Sequence, residues 1–126
     1  VNLFEQIGAE TIEKVITEFY IRAFDDGIIG HFFFEKDRLD ITRKQIDFAV
    51  AMLGGPRLYS GKPLETAHEA LNIRPPHFGR RQVLMANVLR EVGVPEPAAA
   101  AWLELEERLK PLIFKKVVKA DCNHTK

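Results

Sequence analysis

From Ile12 to Phe24 the apolar side chains keep to one spacing. Ile12, Val15, Ile16, Phe19, Tyr20, Ala23 and Phe24 recur at i, i+3, i+4, i+7, i+8, i+11 and i+12, which is one broad helical stripe. The same period returns along the chain. A second helix over 38–53 sets Ile41, Gln45, Phe48 and Met52 on one face. A short one over 64–71 follows Pro63. A third long segment over 75–92 carries Phe78, Met85, Leu89 and Val92. The last runs over 96–119, with Trp102, Leu105, Leu109, Leu112 and the long stem of Lys116 on its face. Glycine and proline punctuate these runs at "DDGIIGHFFFEK", "GGPRLYSGKP" and "GVPEP". No stretch alternates as a strand would, so the chain reads as all-α.

At 126 residues, 46% of them hydrophobic, the chain suits a single domain with a proper core, and 119–126 reads as a flexible tail. Lys and Arg number 18, as do Asp and Glu, so the formal net charge is zero. Nucleic acid as the main partner needs a basic surface that is absent here. Lys115, Lys116 and Lys119 read as a solvated helix end. One cysteine, Cys122, allows no disulfide framework and no CxxCH haem attachment. No apolar run reaches the ~18 residues of a membrane span. "VNLFEQIG" lacks the basic start and apolar centre of a signal peptide, so the expected location is the cytoplasm.

Two motif look-alikes fail on chemistry. In "GGPRLYSGKP" five residues separate Gly55 from Gly61, and Pro63 stands where a phosphate loop needs a hydroxyl for magnesium. "HEALN" begins like a zincin helix but ends on Asn72, and His68 and His77 are too far apart to share a helix face. Three residues resist a bland reading. Gln45 sits mid-stripe, either at its edge reaching solvent or aimed into a pocket, since a buried amide is costly unless bonded. Tyr20 is either a core tyrosine or, with Gln45, a polar tip inside an apolar cavity. His68 is either a surface histidine or, on its short helix, an axial ligand for haem iron. His77 opens the next helix, where it can meet solvent or act in capping. His31 and His124 read as exposed.

In order and spacing these segments resemble the truncated haemoglobins, most closely group I, over roughly 3–113. "LFEQIG" is similar to the family opening, and "EFYIRAFDD" carries the tyrosine that the family points at the bound ligand, here Tyr20. "HFF" carries the phenylalanine that lies flat on the haem; spacing to the next motif selects Phe33 over Phe32 and Phe34. "RKQIDFAVAMLGGP" resembles the distal helix and its Gly-Gly break. "YSGKPLETAH" resembles the run into the proximal histidine, and "NIRPPHF" the connection to the next helix. The resemblance implies a two-over-two helical sandwich holding haem b without a covalent link. It implies His68 as proximal ligand and Gln45 as distal glutamine, with Ile41 where longer globins put a distal histidine. It also implies Lys44 and Tyr59 near the propionates, and Phe48, Met52, Leu53, Ile73 and Phe78 as walls. Three departures stand out: Gly8-Ala9 replaces the usual Gly-Gly, the loop before Phe33 is about one residue longer than usual, and Ala49 holds a place often given to a bulky aromatic beside the ligand tunnel.

The function so implied is reversible binding of O₂ and other diatomic gases, for storage, transport or sensing. An enzymatic alternative uses the same pocket: nitric oxide dioxygenation, with electrons from an external reductase. A cofactor-free helical interaction module is the third reading, and a Soret band would eliminate it.

Overall fold

A computed structural model of the chain describes residues 2–56 and 74–124, with side chains to Lys110. The described residues form five α-helices and no strand. These are α1 (Leu3–Ile7), α2 (Ala9–Asp25), α3 (Arg38–Met52), α4 (Pro75–Val92) and α5 (Glu96–His124), with a 3-10 turn at Gly30–Phe33 between α2 and α3. The helix expected over 64–71, with His68 on it, lies outside the described residues, as do Tyr59 and Ile73.

The stripe on α2 is the spine of the core. Ile12, Val15, Ile16, Phe19, Tyr20 and Ala23 are all buried. α3 packs on one side of this helix and α4 on another, and α5 packs against α4, giving the two layered helix pairs expected of a two-over-two sandwich. From α4 the core takes Leu84, Met85, Val88 and Leu89, and from α5 Ala98 and the fully buried Trp102. Burying side chains of this size contributes about 1.5–3 kcal/mol each relative to exposure.

Local chemistry sets the helix ends. The Asn2 side chain accepts from the Glu5 N–H at 2.9 Å to open α1, and its Nδ2 donates to the Gly54 carbonyl at 2.9 Å. With the Phe4 N–H bonded to the Leu53 carbonyl at 2.9 Å, this clasps the start of the chain to the end of α3. The Gly54-Gly55 pair is what lets the two meet. Gly54 has φ +105°, and a Cβ on Gly55 would lie 2.7 Å from both Phe4 and Val50. Asp37 opens α3 by accepting from the Asp40 N–H at 3.2 Å. Asp26 closes α2: one oxygen accepts from the Ile28 and Ile29 N–H groups, while the other takes Nε and Nη2 of Arg80 at 3.0 and 2.7 Å. That pair ties the end of α2 to α4 and holds the Asp26 carboxyl below its ordinary value, with Arg80 the main cause.

At Pro75 the "RPP" break becomes a helix start, since proline tolerates the first turn. His77 acts in capping there: its Nδ1 accepts from the Arg74 N–H at 3.0 Å. α5 differs from the sequence reading at its far end, since its backbone stays helical to His124, past the residue 119 where that reading ends it.

A candidate cofactor pocket between four helices

Where α2, α3, α4 and α5 converge, they leave a partly open pocket of about 580 Å³, its mouth included. Ile16 and Tyr20 reach it from α2, and Gln45, Phe48, Ala49 and Met52 from α3. Phe78 and Arg81 come from α4, Glu106 and Leu109 from α5. The α3 contribution follows from its 3.6-residue period: Gln45, Phe48, Ala49 and Met52 fall on successive turns of one face.

Tyr20 is the polar tip from α2. Its ring packs edge-on against Phe19 at 4.9 Å and Phe33 at 6.0 Å. Burial, the largest effect, pushes its phenol up to about 12; Arg81 pulls it down and Glu106 pushes it further up. At neutral pH the hydroxyl therefore keeps its proton and is available as a donor. Among the described residues it has no hydrogen-bond partner, and neither has the Gln45 amide.

The other residues singled out in the sequence are placed as follows. Phe33 is half-buried at the end of the 3-10 turn, stacked on Phe24 with centroids 4.5 Å apart. Phe32 turns toward His31 and His77, and Phe34 is 77% exposed. Phe48 and Met52 are half-buried on the pocket wall, and Phe78 is buried there beneath the Lys110 ammonium. Lys44 is exposed and pairs with Asp40 at 3.0 Å. Ile41 is half-buried, packed against the core. Leu53, expected as a wall, instead lies in the core: it begins the turn that returns the chain toward Phe4.

Sequence reasoning missed two charged residues. Arg81 and Glu106 both line the pocket and meet as a two-pronged ion pair, Nη1 to Oε1 at 2.6 Å and Nη2 to Oε2 at 3.0 Å. Glu106 Oε2 also accepts from Trp102 Nε1 at 3.0 Å. Arg81 Nη1 donates to the Gln82 side chain at 2.6 Å, and the guanidinium lies 4.9 Å from the Phe19 ring centroid. Burial alone would lower the guanidinium pKa, but the adjoining carboxylate holds it above its ordinary value. The signal was in the helical period. Arg81 stands three residues after Phe78 and four before Met85, and Glu106 four after Trp102, so each charge occupies a stripe position.

A family profile described as bacterial-like globin matches residues 2–115. The chain belongs to the truncated haemoglobin family. Its relatives include the group 1 truncated haemoglobin GlbN of Mycolicibacterium paratuberculosis, 32% identical over 113 residues that span 89% of this chain and 83% of that one. The group 1 truncated haemoglobin of Tetrahymena pyriformis is 34% identical over 94 residues, 74% of this chain and 78% of the relative. Its crystal structure in the Fe(III) form superposes with a TM-score of 0.85 at 27% identity, covering 90% of this chain and 97% of that one. Membership in this truncated haemoglobin family implies haem-based binding of small gases such as O₂. Among the described residues, no helix is long and apolar enough to cross a membrane.

The described walls suit haem. Phe48 and Met52 line the pocket half-buried, beside buried Ala49 and Phe78, so its described walls offer apolar surface to a large apolar group, while Phe33 lies outside the lining.

Proposed function

We propose that the pocket holds haem b, with His68 as the proximal ligand, and that the chain binds O₂ reversibly between Tyr20 and Gln45. One observation carries this reading: two polar groups without partners among the described residues, the Tyr20 hydroxyl and the Gln45 amide, stand in a pocket walled by Ile16, Phe48, Met52, Phe78 and Leu109. A pocket with apolar walls and few convergent donors suits a small ligand that accepts hydrogen bonds.

When bound, haem supplies an iron centre that takes up diatomic gases. The rest of the work falls to the chain. Tyr20, kept protonated by burial, donates to the ligand. Gln45, one helix away, is placed to orient that hydroxyl or to donate alongside it. Ile41 and Met52 keep the distal side apolar and limit water. Phe33, fixed by its stack on Phe24, offers a ring face to the cofactor. Lys44, exposed and paired with Asp40, would exchange that partner for a propionate. His68 lies in the segment that runs into the α4 cap at Arg74 and His77.

Absorption spectra of the purified protein, ferric and ferrous, with and without O₂, test this. A Soret band that shifts reversibly with O₂ is expected, and a protein without one would overturn the reading. Consumption of nitric oxide by the oxygenated protein, sustained when an external reductase is supplied, would assign it the dioxygenase activity instead.

A further inference from the structure

The pocket is lined by an ion pair whose two halves are unequally occupied. Glu106 is only 7% exposed, and both of its oxygens are taken, Oε1 by Arg81 and Oε2 by Arg81 and Trp102. Arg81 has five N–H groups. Three are engaged, two on Nη1 by Gln82 and Glu106 and one on Nη2 by Glu106. The Nε hydrogen and the second Nη2 hydrogen have no acceptor among the described residues, and the side chain remains 26% exposed. The spare hydrogen-bonding capacity of this pair, which lines the cavity, therefore lies in donors and not in acceptors. Tyr20 adds its hydroxyl and Gln45 its amide N–H groups on the same cavity.

We propose that Arg81, anchored by Glu106, makes this pocket a site for a small monoanion such as azide or nitrite, with Tyr20 as a second donor on the same lining. The proposal rests on the haem reading and deepens it by naming a ligand class for the same pocket. Glu106 is a positioning residue. It fixes the guanidinium in one plane, and its charge tempers the attraction that Arg81 exerts. Charge-assisted hydrogen bonds of this kind change affinity by about tenfold or more.

The experiment titrates azide and nitrite into the ferric holoprotein and carbon monoxide into the ferrous one, followed at the Soret band. In Arg81→Met/Glu106→Gln, which removes both charges without stranding either, the ratio of azide to carbon monoxide affinity should fall about tenfold or more. Glu106→Gln alone leaves the guanidinium uncompensated, so azide should bind several-fold more tightly than in the parent. A residue that merely props up the fold would not give opposite signs in these two variants. An unchanged ratio in the double variant, or weaker azide binding in Glu106→Gln, would overturn the proposal. If the protein takes up no haem, the proposed function falls separately. Azide is then titrated against the indole N–H resonance of Trp102, the only tryptophan of the chain, in the cofactor-free protein. A saturable shift that the double variant lacks supports the anion site, and no shift refutes it.

Discussion

Tyr20 and Gln45 have no hydrogen-bond partners among the described residues, and that makes their contribution measurable. If the Tyr20 hydroxyl donates to a bound ligand, Tyr20→Phe removes one hydrogen bond to a polarised acceptor, about 1.5–3 kcal/mol. O₂ release should then quicken roughly ten- to hundredfold in stopped-flow measurements, whereas an unchanged rate would mean the hydroxyl serves the core. The two histidines of "TAHEALNIRPPHF" should separate in the same way. His68→Ala should lose the normal ferrous spectrum. His77→Ala should keep it and cost about 1 kcal/mol of stability, as other lost caps do, because it removes the bond to the Arg74 N–H along with ring contacts to His31 and Phe32. Tyr20 was legible as an inward residue because its neighbours in the stripe are apolar. Arg81 and Glu106 were not, although they stand on equally regular positions. A charge in a stripe reads as the stripe's edge until the opposite charge is found on another helix, and that pairing is a fact of tertiary structure.

The helices hold together through a few discrete ties. Asp26 joins the end of α2 to Arg80 on α4, and its carboxyl titrates below the ordinary 3.8. A depressed folded-state value means that the pair stabilises the fold above the unfolded value, and that this contribution disappears as pH falls through the folded one. Asp26→Asn should therefore lower the urea midpoint at neutral pH, and the gap to the parent should close as the pH falls below 3.8 and through the depressed folded-state value; a gap constant with pH would mean the charge does not matter. On α5, Trp102 fills the core and donates to Glu106. Trp102→Ala should cost about 3–5 kcal/mol in denaturant unfolding. Trp102→Phe should cost less, because the packing largely remains and only the indole N–H is lost. The bounds of α4 were legible because Pro75 and Gly93 bracket the period. The end of α5 was not: past Val118 the sequence turns polar, and composition cannot separate a solvated helix from a tail.

At the scale of the molecule, the described helices leave one apolar face half covered. Removing haem should therefore lower the thermal midpoint and raise the binding of an apolar dye, and adding haem back should reverse both, because a ligand that binds only the folded state stabilises it. Equal midpoints with and without haem would mean the pocket is supported by protein alone. The all-helical character was legible from the stripes and breaks, and the layered helix pairs from the resemblance to the truncated haemoglobins. The ion pair at their junction was not, since it depends on how α4 and α5 face each other.

The clasp between Asn2 and Gly54 has a mechanical consequence. Two hydrogen bonds and the close approach of Phe4 to Gly55 join the first residues of the chain to the end of α3, the helix that carries Gln45. Tension applied ahead of Asn2, by a surface tether or a fused partner, would be carried straight to that helix instead of being dissipated in slack chain. A pull on Asn2 would therefore load the end of α3 together with α1.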